Sequence, residues 1–163
     1  MVLAAEDWIA KHRREAVYVD GLAWSSSLPW YEGGSVERVG YASDSFRVAS
    51  DRAGMRGDPS RFDLLEIDDT YSYKLLQHVN SLFSNRHEAR HLLEDAANSL
   101  NPSGGALGVG NLIEASALHR VLECVLQLRG EAGAIQVRNA SSALVLSWRG
   151  IPTATGGVAI LSG

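Results

Sequence analysis

Cysteine, positive charge and long apolar runs are all scarce in this 163-residue chain. The one cysteine, Cys124, excludes an internal disulfide framework and fits a reducing cytoplasm. Lysines and arginines number 15 against 19 acidic residues, a net charge of −4, so no basic surface favours nucleic acid or anionic lipid. No apolar run approaches the roughly 20 residues that span a bilayer. The opening, MVLAAEDWIAKHRRE, carries charges where a signal peptide needs its apolar core. Repeats and low-complexity segments are also missing. The expectation is a cytoplasmic domain with no membrane span, no nucleic-acid partner, no metal and no covalently bound cofactor.

Apolar residues make up 45% of the chain and charged ones 21%, enough for one domain, residues 1–163, with its own core. A short helix is expected in AAEDWIAKHRREA, then a strand over 16–25 that alternates and ends at small residues. Residues 26–43 hold turn formers without a period and are read as a loop, a candidate lid or contact surface. A helix over 43–55 has Ser43 or Asp44 as its cap and Gly54 as its stop. A short buried strand follows at Phe62–Ile67, then a helix over 71–84 and a second helical piece, or an extension, in NRHEARHLLEDAANSL. After a loop over 101–113, a helix from about 114 to 129 carries Leu118, Val121, Leu122, Val125, Leu126 and Leu128 on a broad apolar face. Strands at 142–148 and 156–163 close the chain. The fold class is α/β: a mixed, mostly parallel sheet of about four to five strands covered by helices.

Four stretches carry a family resemblance. NPSGGALGVG at 101–110 looks like the N-x-x-G-G loop that precedes the G-H-P motif of thiolases. LQLRGEAGAIQV at 126–137 looks like the stretch after that family's long helix. ALVLSWRGIPTATGGVAIL looks like its terminal hairpin, and EIDDTYSY at 66–73 falls where the family has N-E-A-F or H-D-C-F. The chain thus resembles the C-terminal half of a thiolase, most closely the sterol-carrier-protein type. The resemblance runs from about Ala5 to Gly163 and implies a half-fold that needs a second half to finish its interior and pocket.

The resemblance also implies where chemistry should lie. The G-H-P histidine is replaced in Gly110-Asn111-Leu112; an amide cannot take a proton at neutral pH, though its NH₂ still donates to an oxyanion. The hairpin position falls on Ser147-Trp148-Arg149-Gly150, with no efficient general base. At the third position the chain keeps titratable groups, Asp68 and Tyr71, and these are the candidate catalytic residues. The competing reading is that Asp69 or Thr70 caps the 71–84 helix, with Tyr71 packed at its first turn. Asn111, Gly110, Gly105, Ser147 and Trp148 are the candidate oxyanion or CoA-binding residues. Glu114 either favours the start of its helix or serves as a displaced base. His119 is read as a helix-surface residue and Cys124 as a buried, inert thiol.

The implied function is that of a subunit of a heteromeric thiolase-like enzyme acting on carbon–carbon bonds of CoA thioesters. The missing histidine and cysteine turn the expectation toward retro-aldol cleavage of a lipid or steroid side chain, which needs no acyl-enzyme. One alternative is a scaffold half that completes a catalytic partner; a second is a stand-alone acyl-CoA or lipid-binding module. The expected partner is a chain resembling the thiolase N-terminal half, with an OB-fold, zinc-ribbon protein as a further companion.

Overall fold

The structure, a computed structural model, describes residues 2–12, 15–27, 37–55, 57–94, 99–150 and 154–163. In chain order the elements are α1 (Glu6–His12), β1 (Tyr18–Ser26), α2 (Gly40–Arg52), β2 (Leu64–Ile67), α3 (Ser72–Leu82), α4 (Arg86–Glu94), α5 (Gly105–Val109), α6 (Ser116–Leu128), β3 (Ser142–Trp148) and β4 (Thr155–Ser162). The four strands form one sheet in the order β1-β4-β3-β2. The sheet is mixed and four-stranded, as expected, but its parallel share is smaller. β2 pairs with β3 in parallel, whereas β1–β4 and β3–β4 are antiparallel. The reason is the short tail connection: β3 and β4 form a hairpin, which is antiparallel by construction. Outside β2, the backbone at Leu100 adds a single parallel bridge to Leu65.

Alternation assigns the faces. Leu65 and Ile67 of β2, Leu144 and Leu146 of β3, and Val158 and Ile160 of β4 join α2, α3 and α4 in the larger core. Leu64, Ala143, Val145, Ala159 and Leu161 point the other way, into a smaller core against Cys124 of α6. β3 is covered on both faces, which is why it reads as an unbroken apolar run. At the β1 edge, α2 lies directly on the strand: a Cβ at Gly21 would collide with the carbonyl of Ala49.

Several boundaries move. α2 begins at Gly40, not at Ser43 or Asp44; Val39 is its cap residue, without a side-chain bond, and Ser43 Oγ instead donates back to the Gly40 carbonyl. Gly54 ends it as expected, at φ +67°, with Met55 N–H donating to the Ser50 carbonyl across the turn. Between α3 and α4 the chain turns extended at Phe83, so the two helices are separate. The 101–113 segment is not loop throughout, since Gly105–Val109 forms a helical turn. Residues 28–36, half of the other expected loop, lie outside the described residues. Among the described residues no helix is long and apolar enough to cross a membrane.

α6 is turned against its sequence pattern. Its buried residues are Ser116, Arg120, Cys124 and Gln127, spaced as one helical stripe. Part of its apolar side faces outward, with Leu118 61% exposed and Leu122 also exposed, whereas Val121 and Leu128 pack against the smaller core. α6 covers β2, β3 and part of β4 but leaves β1 bare, so Trp24, 76% exposed, and Leu22 continue that outward apolar surface.

Candidate functional site

The space left between α6 and the uncovered part of the sheet is a crevice of about 740 Å³, within the usual size range for ligand sites. Its apolar walls include Leu22 and Trp24 of β1, and Leu118 and Val121 of α6. Its polar end gathers Asp68, Tyr71, Asn111, Glu114, Ser147, Trp148 and Arg149. Five of the seven expected site residues therefore meet in one place, although they come from three distant stretches of chain.

β2 directs the carboxylates. Glu66 and Asp68 continue the Leu64 face toward α6, and both are buried. Asp68 lies just past β2, where its backbone N–H still donates to the Leu146 carbonyl (2.9 Å). One carboxylate oxygen accepts from Thr70 N–H (3.1 Å). The other lies 3.4 Å from both the Trp148 N–H and an Arg120 guanidinium nitrogen. Tyr71 is 45% exposed, stacks on Tyr73 (ring centroids 5.7 Å apart) and meets Trp148 edge-on at 6.3 Å. A buried acid thus stands beside an accessible phenol.

Asp69 does not take the capping role that the sequence offered. α3 starts with Tyr71 as its cap residue, without a side-chain bond. Asp69 instead accepts from Ala106 N–H (2.7 Å) and Leu107 N–H (3.3 Å) at the start of α5, and pairs with Arg120 at 3.1 Å. Gly105 makes room for it: a Cβ there would overlap the Asp69 carboxylate. Gly105 and Gly110 border a small recess beside Ser103 and Arg120, not the main crevice, and Gly110 adopts φ +96° as α5 ends.

Asn111 sits at the crevice with its amide oxygen engaged, accepting from Ile113 N–H and Ser116 Oγ, both at 2.9 Å. The NH₂ end takes part in neither of these bonds. Ser147 Oγ is buried without a hydrogen-bond partner. Glu114 is exposed on the crevice wall in the tight turn before α6. His119 pairs with Glu123 across one helical turn (3.3 Å), and Cys124 is buried, where desolvation pushes its thiol well up.

Sequence reasoning missed the charged layer behind this site. Glu66, whose carboxylate accepts from Ser103 N–H (3.1 Å) and Oγ (2.9 Å), is raised by burial to about 6 despite those bonds. His78 is lowered by burial to about 4 and so is neutral near pH 7. Its Nδ1–H donates to the Asp68 carbonyl (2.8 Å), which leaves Nε2 to accept from the Tyr41 hydroxyl (2.8 Å). Lys74 Nζ lies 3.5 Å from that hydroxyl and 4.4 Å from the centre of the Trp148 ring. Only Arg120 left a signal: it shares a stripe with Ser116, Cys124 and Gln127 on a helix otherwise rich in leucine and valine. Among the described residues, no group of three or more His, Cys, Asp or Glu side chains is placed to hold a metal ion.

Known proteins put this geometry in a family. Residues 35–163 match the model of the "thiolase C-terminal domain-like" family. The chain is 31% identical to sterol carrier protein 2 from Bos taurus over 156 residues, 88% of this chain and 28% of that protein. It is 28% identical over 148 residues to an acetyl-CoA acetyltransferase from Methanothermobacter thermautotrophicus, 86% of this chain and 38% of that one. Its fold overlays a chain of the solved Ltp2-ChsH2(DUF35) aldolase with a TM-score of 0.74 at 20% identity, covering 90% of this chain and 39% of that one. The chain therefore spans well under half the length of these relatives. It belongs to the thiolase C-terminal-domain-like family.

Proposed function

We propose that this chain is one subunit of a heteromeric thiolase-like enzyme that acts on a carbon–carbon bond of a CoA thioester. The observation that carries the reading is the crevice: Asp68 and Tyr71 stand at its polar end, while Leu22, Trp24 and Leu118 leave its flank open. A chain resembling the thiolase N-terminal half would close that flank. The likeness to a solved aldolase supports the fold alone; the cysteine- and histidine-free chemistry rests on the residues present.

In this reading the substrate is a lipid or steroid acyl-CoA bearing a hydroxyl on the carbon to be cleaved from. Retro-aldol cleavage removes that hydroxyl's proton, breaks the carbon–carbon bond and leaves an enolate on the thioester side. The enolate oxygen needs hydrogen-bond donors, for which the Asn111 NH₂ and Ser147 hydroxyl are at hand. The Tyr71 hydroxyl and the Asp68 carboxylate are the groups that would relay the proton. Gly105 and Gly110 serve the site indirectly, by letting α5 and the α6 turn pack where they do. An OB-fold, zinc-ribbon companion and a cytoplasmic location complete the proposal.

A second reading has its own support. Both Asp68 oxygens are already engaged, by Thr70, Trp148 and Arg120, as in a residue that holds architecture. The chain would then be a scaffold that shapes its partner's pocket. Tyr71→Phe and Asp68→Asn in the reconstituted complex separate the two. Enzymatic participation predicts turnover lowered by about 10²–10⁴-fold, and unchanged turnover in both leaves the scaffold.

A further inference from the structure

The chain has five histidines, and three of them are engaged inside it. His12 stacks on Trp8, His78 bonds to Tyr41 and Asp68, and His119 pairs with Glu123. The other two lie on α4, in the run His87-Glu88-Ala89-Arg90-His91. This is H-E-x-x-H, the spacing by which one turn of helix offers two imidazoles to a zinc ion with a carboxylate beside them. The pattern is short, so its setting in the fold decides what it is worth.

α4 provides that setting. Asn85 Oδ1 accepts from His87 N–H (2.9 Å) and fixes the first turn, and Ala89 is the residue that α4 buries, in the larger core. At 3.6 residues per turn, positions 87, 88, 91 and 92 then share one flank of the helix. All four line a second cavity, of about 300 Å³, whose apolar floor includes Phe62 and Phe83. Leu65 lines it too, which puts it on the face of β2 turned away from α6. His87 and His91 are exposed, and among the described residues neither ring has a hydrogen-bond or ion-pair partner. The nearest cations on the helix are neutralised, Arg86 by Glu37 and Arg90 by Glu94 (2.6 Å).

We propose that His87 and His91 form a binding site for a divalent transition-metal ion of the zinc class. Neutral imidazole suits Zn²⁺, Cu²⁺ and Ni²⁺, whereas Mg²⁺ and Ca²⁺ take oxygen donors. Among the described residues no group of three such side chains is placed around an ion, so this ion keeps water at its remaining positions. Glu88, on the same cavity wall, supplies a negative charge and an acceptor for that water. The site lies apart from the thioester crevice and does not depend on the reaction proposed there.

Calorimetric titration of the intact chain with zinc chloride, in a buffer that does not chelate, tests this. One saturable site is expected. Glu88→Gln should weaken it about tenfold, the lower end for losing an outer partner of a metal ligand, and His87→Asn or His91→Asn should each weaken it more. All three side chains are exposed, so the variants should keep the parent's thermal midpoint and differ in binding alone. His119→Asn, on α6, should bind as the parent does. Absence of saturable binding, or binding that survives His87→Asn and His91→Asn together, would overturn the proposal whatever the fate of the thioester reading.

Discussion

Arg120 and Asp69 face each other at 3.1 Å inside the protein, each with a side chain 3% exposed. Their pairing, with Asp68 at 3.4 Å from the same guanidinium, seats the polar stripe of α6 in the interior, while Leu118 and Leu122 lie exposed. One contact thus couples the interior of the candidate site to the exterior that lacks a cover.

Removing the guanidinium would leave two buried carboxylates without their cation. Arg120→Met should therefore cost about 3–5 kcal/mol, the range for breaking a buried pair from one side. Urea unfolding measures it, and adding Asp69→Asn should recover part of the loss. A cost below about 1 kcal/mol would mean that water already solvates these acids.

Gly105 and Gly133 both adopt positive φ, +58° and +61°, yet only Gly105 has a neighbour where a Cβ would go. Gly133→Ala should cost about 1 kcal/mol for its backbone alone. Gly105→Ala should cost about 3 kcal/mol, because it also displaces Asp69 from the Ala106 N–H. Equal shifts in thermal midpoint for the two variants would contradict the packing of Asp69 against α5.

Glu66, raised from its ordinary 4.5 to about 6, makes a pH signature. A carboxyl whose folded affinity for the proton is raised stabilises the fold below its unfolded value and loses that contribution as pH climbs through the folded one. The contribution is about 2 kcal/mol at 1.36 kcal/mol per pH unit. His78, lowered from 6.5 to about 4, acts in the opposite sense: its stabilisation is present above 6.5 and is lost as pH falls through 4. Whole-protein curves mix the two, so the informative quantity is the difference from Glu66→Gln. Between pH 4.5 and 7 the variant should gain about 2 kcal/mol on the parent; a flat difference would sink the assignment.

The sequence yields the element order readily, because strands covered on both faces and a long apolar helix leave plain periodic signals. It misleads wherever a partner lies far along the chain. Ser43 and Asp44 look like caps, but α2 starts three residues earlier; Asp69 looks like a cap for α3, but serves α5 across 37 positions. The parallel share of the sheet was overestimated because alternating helices and strands suggest crossovers, whereas β1 and β4 pair across the whole chain in the antiparallel sense. Where a motif marks a residue, at Asp68, Tyr71, Asn111, Ser147 and Trp148, the sequence named groups that the fold brings to one crevice. Lys74, His78 and Tyr41 lie outside the motif-like stretches, Glu66 only opens one of them, and three-dimensional burial is what reveals all four.

The central claim is that the outward leucines of α6 and the bare flank of β1 are covered by a second, thiolase-like half. A photo-crosslinking residue placed at Leu118, and separately at Trp24, in the native host tests it directly; Arg90, on exposed α4, serves as the control. Adducts from 118 and 24, but not from 90, to a chain whose sequence matches the N-terminal half of a thiolase are the predicted result. A chain that sediments as a monomer and yields no adduct at either position, or only adducts to copies of itself, would contradict the claim.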